Sequence, residues 1–225
     1  MRLDVLTLFP QWFEWFADQR HVRNVTAAGS ELRFLDLRAT TPLSAGQVDD
    51  SPYGGGAGMV MRVDVIDAAL QAAYGEDRGG RRIVLLTPSG RTFDEDLASE
   101  LAAEPSLTLI CGRYEGVDER VRDHLVTDAV SIGRYVLSGG ELAAMVVADA
   151  VLRKLPGALG HEESALEESF SSALEGDPEY PHYTRPASYR GWGIPDVLVS
   201  GDHERVRQWR RARSRERGAG REPGA

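Results

Sequence analysis

A single cysteine, Cys111, stands in the 225 residues, which excludes an intramolecular disulfide framework. With only five histidines, a cysteine-rich zinc module is excluded as well, and no metal site is expected from the composition. Lysine is almost missing: of 26 basic side chains only Lys154 is a lysine, and the rest are arginine. Acids outnumber bases 35 to 26 for a formal charge of −9, which argues against generic nucleic-acid binding by the whole surface. No apolar run is long enough to span a bilayer; the richest, Leu142 to Leu155, is broken by Asp149, Arg153 and Lys154. Met1-Arg2-Leu3-Asp4 puts an acid where the apolar region of a secretory leader would begin, so a cytoplasmic protein with no membrane partner is expected. Familiar site signatures are missing too. There is no G-x-x-x-x-G-K-[ST] and no G-x-S-x-G elbow, and the glycines of Tyr53-Gly54-Gly55-Gly56-Ala57-Gly58 do not form a G-x-G-x-x-G after a strand. His161-Glu162 lacks the second histidine of a zinc-protease helix.

What is present is a globular composition, 42% apolar and 27% charged, long enough for one or two domains with a sizeable core. The first two thirds alternate strand-like and helix-like stretches. Leu3–Phe9, Glu31–Leu37, Ile83–Leu86, Leu107–Cys111 and Val126–Ile132 read as strands, being short, apolar and bounded by turn formers. Asp64–Tyr74, with Asp64 as its cap, Asp94–Ala103 and Glu141–Leu155 read as helices. This rhythm predicts an α/β domain on a largely parallel sheet.

After Pro156-Gly157 the character changes. Gly160–Pro181 is acidic and aperiodic and reads as a linker or loop, whereas Glu204–Arg217 reads as an amphipathic, arginine-rich helix with Val206 and Trp209 on its apolar face. From Asp202 onward eight arginines face four acids, so a basic tail follows an acidic segment, a pattern that solubility alone would also explain.

Glycine turns follow three strands in succession, at Gly90, at Gly112–Gly116, and at Gly133 with Gly139-Gly140. In open α/β sheets ligands bind beyond the carboxyl ends of the strands, and glycine there lets backbone approach a ligand without a Cβ in the way. Any one of these turns could be an ordinary tight turn; three at one sheet edge point to a ligand without naming it.

Longer motifs carry more. Ser51-Pro52-Tyr53-Gly54-Gly55-Gly56-Ala57-Gly58-Met59, Cys111-Gly112-Arg113-Tyr114-Glu115-Gly116-Val117-Asp118-Glu119-Arg120 and Ser131-Ile132-Gly133-Arg134-Tyr135-Val136-Leu137-Ser138-Gly139-Gly140-Glu141 resemble those of the bacterial tRNA (guanine-37-N1)-methyltransferases of the SPOUT superfamily. So do Leu155-Pro156-Gly157, Pro181-His182-Tyr183-Thr184-Arg185-Pro186 and Leu198-Val199-Ser200-Gly201-Asp202-His203, in the same order over nearly the whole chain. The resemblance implies a SPOUT-type trefoil-knotted parallel-sheet domain over 1–159, a flexible linker over 160–179, and a small helical, arginine-rich tRNA-binding domain over 180–225. It also implies a homodimer that uses S-adenosyl-L-methionine, with Mg²⁺ during catalysis entering through the resemblance alone. A donor pocket is implied at Leu86, Thr87, Pro88, Gly112, Tyr114, Glu115, Ser131, Ile132, Gly133, Arg134, Tyr135, Val136, Leu137, Gly139 and Gly140, and tRNA contacts at Tyr53, Gly58 and Arg185.

Guanine N1 carries a proton in the neutral base, so methylation there needs a general base and a partner for charge developing on O6. By resemblance these are Glu168 and Arg153. Three departures from the family pattern stand out: glutamate rather than aspartate at 168, arginine rather than aspartate at 134, and Pro42-Leu43-Ser44-Ala45-Gly46 in place of a stretch rich in His and Arg. The longer glutamate moves the carboxylate by about a bond length, and a base misplaced by about 1 Å can cost on the order of a hundredfold in rate. Fewer bases before Val48 weaken phosphate contacts. These departures keep two other readings open, a SPOUT enzyme for another RNA or a small molecule, and a non-catalytic RNA-binding homologue.

Overall fold

The computed structural model describes residues 1–76, 78–159 and 168–220. The chain divides into two compact units, Met1–Leu159 and Gly160–Ala225. In chain order the first holds β1 (Arg2–Thr7), α1 (Glu14–Ala17), α2 (Arg20–Ala27), β2 (Glu31–Asp36), β3 (Asp49–Asp50), β4 (Val60–Met61), α3 (Val63–Tyr74), β5 (Arg82–Thr92), α4 (Glu95–Ala102), β6 (Ser106–Cys111), α5 (Glu119–His124), β7 (Asp128–Ser131) and α6 (Glu141–Leu152). The second holds the short hairpin β8 (Ser188–Tyr189) and β9 (Trp192–Gly193), then α7 (His203–Ala219).

Five strands form one sheet in the order β2-β1-β6-β5-β7, with every pair parallel. Alternation along each strand feeds two cores. Leu3, Val5, Val84, Leu86, Leu107, Leu109 and Cys111 pack in one cluster with residues of α2, α4 and α6. Leu6, Ile83, Leu85 and Ile110 pack in another with Val65, Ile66 and Leu70 of α3 and Val121 of α5. A sheet buried on both faces explains why these strands read as unbroken apolar runs.

The structure departs from the sequence expectations at several places, and four bear on the site or the core. The strand expected to end at Leu86 continues to Thr92, because after a register shift Arg91 and Thr92 pair again with Val130 and Ser131 of β7. The residue at the start of α3 is Arg62, not Asp64; Asp64 sits in the first turn and takes the Arg62 guanidinium instead. α6 stops at Leu152, three residues early, since Pro156 disfavours helical backbone in the residue before it and cannot donate into the last turn. Finally, the aromatic stretch Pro10–Ala27 folds into short helical turns that propensity did not predict.

In the second unit, Glu168–Glu179 carries hydrogen bonds of its own. Phe170 N donates to Asp177 O at 2.9 Å, Glu179 N donates to Ser169 Oγ at 2.9 Å, and Leu174 is buried. Residues 160–167 of the expected linker, His161-Glu162 among them, lie outside the described residues, as does 221–225. The acidic segment and the basic helix answer each other. Arg217 Nη1 donates to Glu179 O at 2.7 Å, Ser214 Oγ to Pro178 O at 2.8 Å, and Arg210 stacks 4.7 Å over Tyr180.

Candidate active site

A pocket of about 900 Å³, counting its open mouth, lies at the carboxyl edge of the sheet, beside the register shift in β5 and where the chain leaves β6 and β7. Its floor is apolar, formed by Leu85, Leu86, Val130, Ile132, Leu137 and Ala143. Three backbone segments form the walls: Thr87-Pro88-Ser89 at the irregular middle of β5, and the loops Gly112–Val117 and Gly133–Gly140, with Arg134 left out. Turn geometry holds the third. Ser131 Oγ donates to Gly133 O at 3.0 Å, Tyr135 N donates to the same carbonyl at 3.0 Å, and Tyr135 Oη donates to Ile132 O at 3.1 Å.

The loops stay open because backbone crosses backbone at glycine. A Cβ on Gly140 would lie 2.8 Å from Cys111 Cα and 2.9 Å from Gly112 N, and the Gly140 amide donates to Gly112 O at 2.8 Å. A Cβ on Gly90 would fall 2.4 Å from Val130 N. Side chains in place of these hydrogens would push the loops apart, so the pocket depends on glycine more for chain crossing than for flexibility.

Charge braces the same loops. Arg113 donates from Nε to Glu141 Oε2 at 3.0 Å and from Nη1 to Ser138 O at 3.2 Å. Its guanidinium stacks 4.5 Å from Phe9 and 4.8 Å from Trp12. Glu141, at the start of α6, is 1% exposed and accepts from Thr7 Oγ1 at 2.9 Å. A carboxylate in the first turn also suits the helix dipole. Burial, with the Glu141 carboxylate nearby, pushes the Cys111 thiol well above its ordinary range. At the mouth, Tyr114 adopts φ 60°, and partial burial together with Asp49 raises its phenol.

Of the fifteen residues expected at a donor pocket, fourteen line this one; Arg134 does not, and its side chain is exposed, so the charge reversal there faces solvent. Gly58 meets the pocket indirectly. A Cβ there would lie 2.4 Å from Glu115 Cγ, and Glu115 N donates to Met59 O at 3.0 Å. Tyr53 is fully exposed on the turn before it. Arg153 caps the carboxyl end of α6, while Glu168 and the exposed Arg185 belong to the second unit. Lining residues outside the expected set include the apolar Leu85, Val117, Val130 and Ala143, with Gly116, and the polar Ser89, Arg113, Glu119, Arg122 and Ser138. Arg113 and Glu119 stand inside a quoted motif, and Arg122 follows Glu119 by one helical turn, so the spacing held that signal. Among the described residues no group of three or more His, Cys, Asp or Glu side chains is placed so that it could hold a metal ion, and no helix is long and apolar enough to cross a membrane.

The model of the tRNA (Guanine-1)-methyltransferase TrmD family matches residues 1–224. The chain belongs to that family. It is 51% identical over 217 residues to the tRNA (guanine-N(1)-)-methyltransferase of Rhodospirillum rubrum, covering 96% of this chain and 88% of that one. The same-named protein of Brevibacillus brevis is 47% identical over 228 residues (99% and 90%), and that of Dehalococcoides mccartyi 48% over 224 (99% and 89%). Two of the motifs quoted from the sequence, one after β6 and one after β7, supply most of the pocket's lining.

Proposed function

We propose that this protein transfers a methyl group from S-adenosyl-L-methionine to N1 of guanosine-37 in tRNA. The observation that carries the reading is the family match over residues 1–224, and it is supported by a pocket at the carboxyl edge of the sheet. The pocket suits such a donor. Its apolar floor can take a base, and the three open backbone segments can meet the sugar and the amino-acid end. When bound there, S-adenosyl-L-methionine supplies an electrophilic methyl on a sulfonium.

The chain's own residues supply the rest. Leu86, Ile132 and Leu137 exclude water around the reacting centre, and the Gly112–Gly116 and Gly133–Gly140 loops orient the donor. Glu168 takes the proton from guanine N1 and frees its lone pair, while Arg153 donates to O6 as negative charge grows there. Tyr53, Gly58 and Arg185 contact the tRNA, and the arginines of α7 meet its phosphates. A trefoil knot, a homodimeric active site and a cytoplasmic location complete the proposal and rest on the family. Mg²⁺ stands in it only by resemblance, and turnover with and without a chelator decides whether the reaction uses it.

The test is paired incubation with labelled donor and tRNA transcripts bearing guanosine or adenosine at position 37. Incorporation with guanosine alone is expected; equal incorporation with both removes the reading. Glu168→Gln should abolish turnover and leave donor binding by calorimetry unchanged. Retained turnover would reassign the base.

A further inference from the structure

We propose that the β8–β9 hairpin of the second unit is a stacking platform for an unpaired base of the RNA substrate, with Tyr189 and Trp192 as its rings and Arg190 as its phosphate contact. Arg190 and Gly191 both have positive φ, 52° and 83°, as in the two-residue turns whose twist matches their flanking strands. The turn sets Tyr189 directly opposite Trp192, and directly opposed side chains leave the same face of a two-stranded ribbon. Their ring centroids lie 5.9 Å apart with the planes at 60°.

These rings are not part of a core. Every residue from 182 to 193 is exposed, Trp192 at 69% and Tyr189 at 52%, while the buried side chains of this unit, Leu174, Tyr180 and Ser214, lie elsewhere in the chain. Large rings held out to solvent on a tight turn mark a surface that a partner covers.

Charge selects the partner. Residues 180–220 hold nine arginines against four acids, although the chain as a whole is at −9. At the tip of the turn the Arg190 guanidinium lies 5.3 Å from the Tyr189 ring centroid, and among the described residues it forms no ion pair. Open aromatic faces beside arginine suit single-stranded nucleic acid, since every base offers a π-face and every phosphate an acceptor. A paired helix keeps its bases stacked inside, so the rings call for a loop. The choice of RNA rests on the proposed function, whose target lies next to the anticodon, where bases are unpaired.

The test is equilibrium binding of the full chain to an RNA stem-loop carrying the anticodon loop and to a blunt RNA duplex of the same stem, across a salt series. Trp192→Ala should weaken stem-loop binding about 5- to 150-fold and leave duplex binding as in the parent. It should not change the slope of log K against log salt, because a lost stack releases no counterions. Trp192→Phe keeps a π-face and should restore most of the loss, whereas Trp192→Leu, apolar but without a ring, should not. Arg190→Asn, which suits the left-handed backbone, should make the slope shallower by about 0.7, the share of one single-strand phosphate. Stem-loop affinity unchanged by Trp192→Ala, an equal loss on the duplex, rescue by leucine, or an unchanged slope in Arg190→Asn overturns the proposal. So does weaker self-association of Trp192→Ala in sedimentation at unchanged RNA affinity, which would make the hairpin a contact between copies of the chain. Methyl transfer to guanosine-37 is read separately. A parent that methylates its tRNA while Trp192→Ala binds RNA equally well keeps the proposed function and loses the platform; the reverse result keeps the platform and loses the function.

Discussion

Gly90→Ala isolates the chain crossing that keeps the pocket open. The added methyl would lie 2.4 Å from Val130 N, 2.5 Å from Ala129 C and 2.6 Å from Ala129 O. Ordinary contact begins near 3.5 Å, so the strands must part by about 1 Å. The obstructing atoms are backbone on β7, which pairs with β5 on both sides of the register shift, so no side chain can rotate away. Gly90 does not have a positive φ, and the effect is therefore spatial rather than conformational. Overpacking of this kind costs about 1–3 kcal/mol, and rigid neighbours place it at the upper end. At this chain length that lowers Tm by about 6–12 °C. The control is Gly193→Ala, where nothing lies within 4 Å and φ is not positive; it should not lower Tm and should move it by no more than about 4 °C. Thermal unfolding reads stability, and calorimetry with S-adenosyl-L-methionine reads the pocket, where affinity should fall at least tenfold. A Gly90→Ala protein that melts with the parent and binds the donor equally well would refute the crossing argument.

Glu141→Ala should cost about 3–5 kcal/mol by leaving the Arg113 guanidinium without its buried partner, seen as a lower denaturant midpoint at unchanged slope. An unchanged midpoint would mean that Ser138 O and the aromatic neighbours hold Arg113 without the carboxylate. Burial, with Asp4 beside it, pushes the Tyr74 phenol up to about 12. A raised phenol keeps its full contribution below the unfolded value near 10 and loses it as pH climbs through the folded one. Stability should therefore drop by about 1–2 kcal/mol between pH 10 and 12 after allowance for solvent screening, and Tyr74→Phe should flatten that part of the profile. The Cys111 thiol, buried and raised, should react with a disulfide reagent at pH 8 only on the timescale of unfolding; fast reaction in the native protein would contradict its burial.

The sequence by itself determined the strand–helix alternation and the sheet core, because apolar periodicity is a local property that burial on both faces makes stronger. It also pointed to the right edge of the sheet, since glycine after a strand is visible without any coordinates. Only tertiary structure decided what those glycines do. Nothing in Thr87-Pro88-Ser89-Gly90 reveals that Gly90 will rest on Ala129–Val130, forty residues later, or that Gly140 will rest on Cys111. The roles of Arg113 and Glu141 were hidden for the same reason. An arginine in a loop and an acid opening a helix look solvated until folding brings Thr7, Phe9 and Trp12 beside them. The acidic segment and basic helix of the second unit were each legible as composition, but their pairing through Glu179, Pro178 and α7 was not. Contacts between residues far apart in the chain carry no periodic signal, and the pocket is made almost entirely of such contacts.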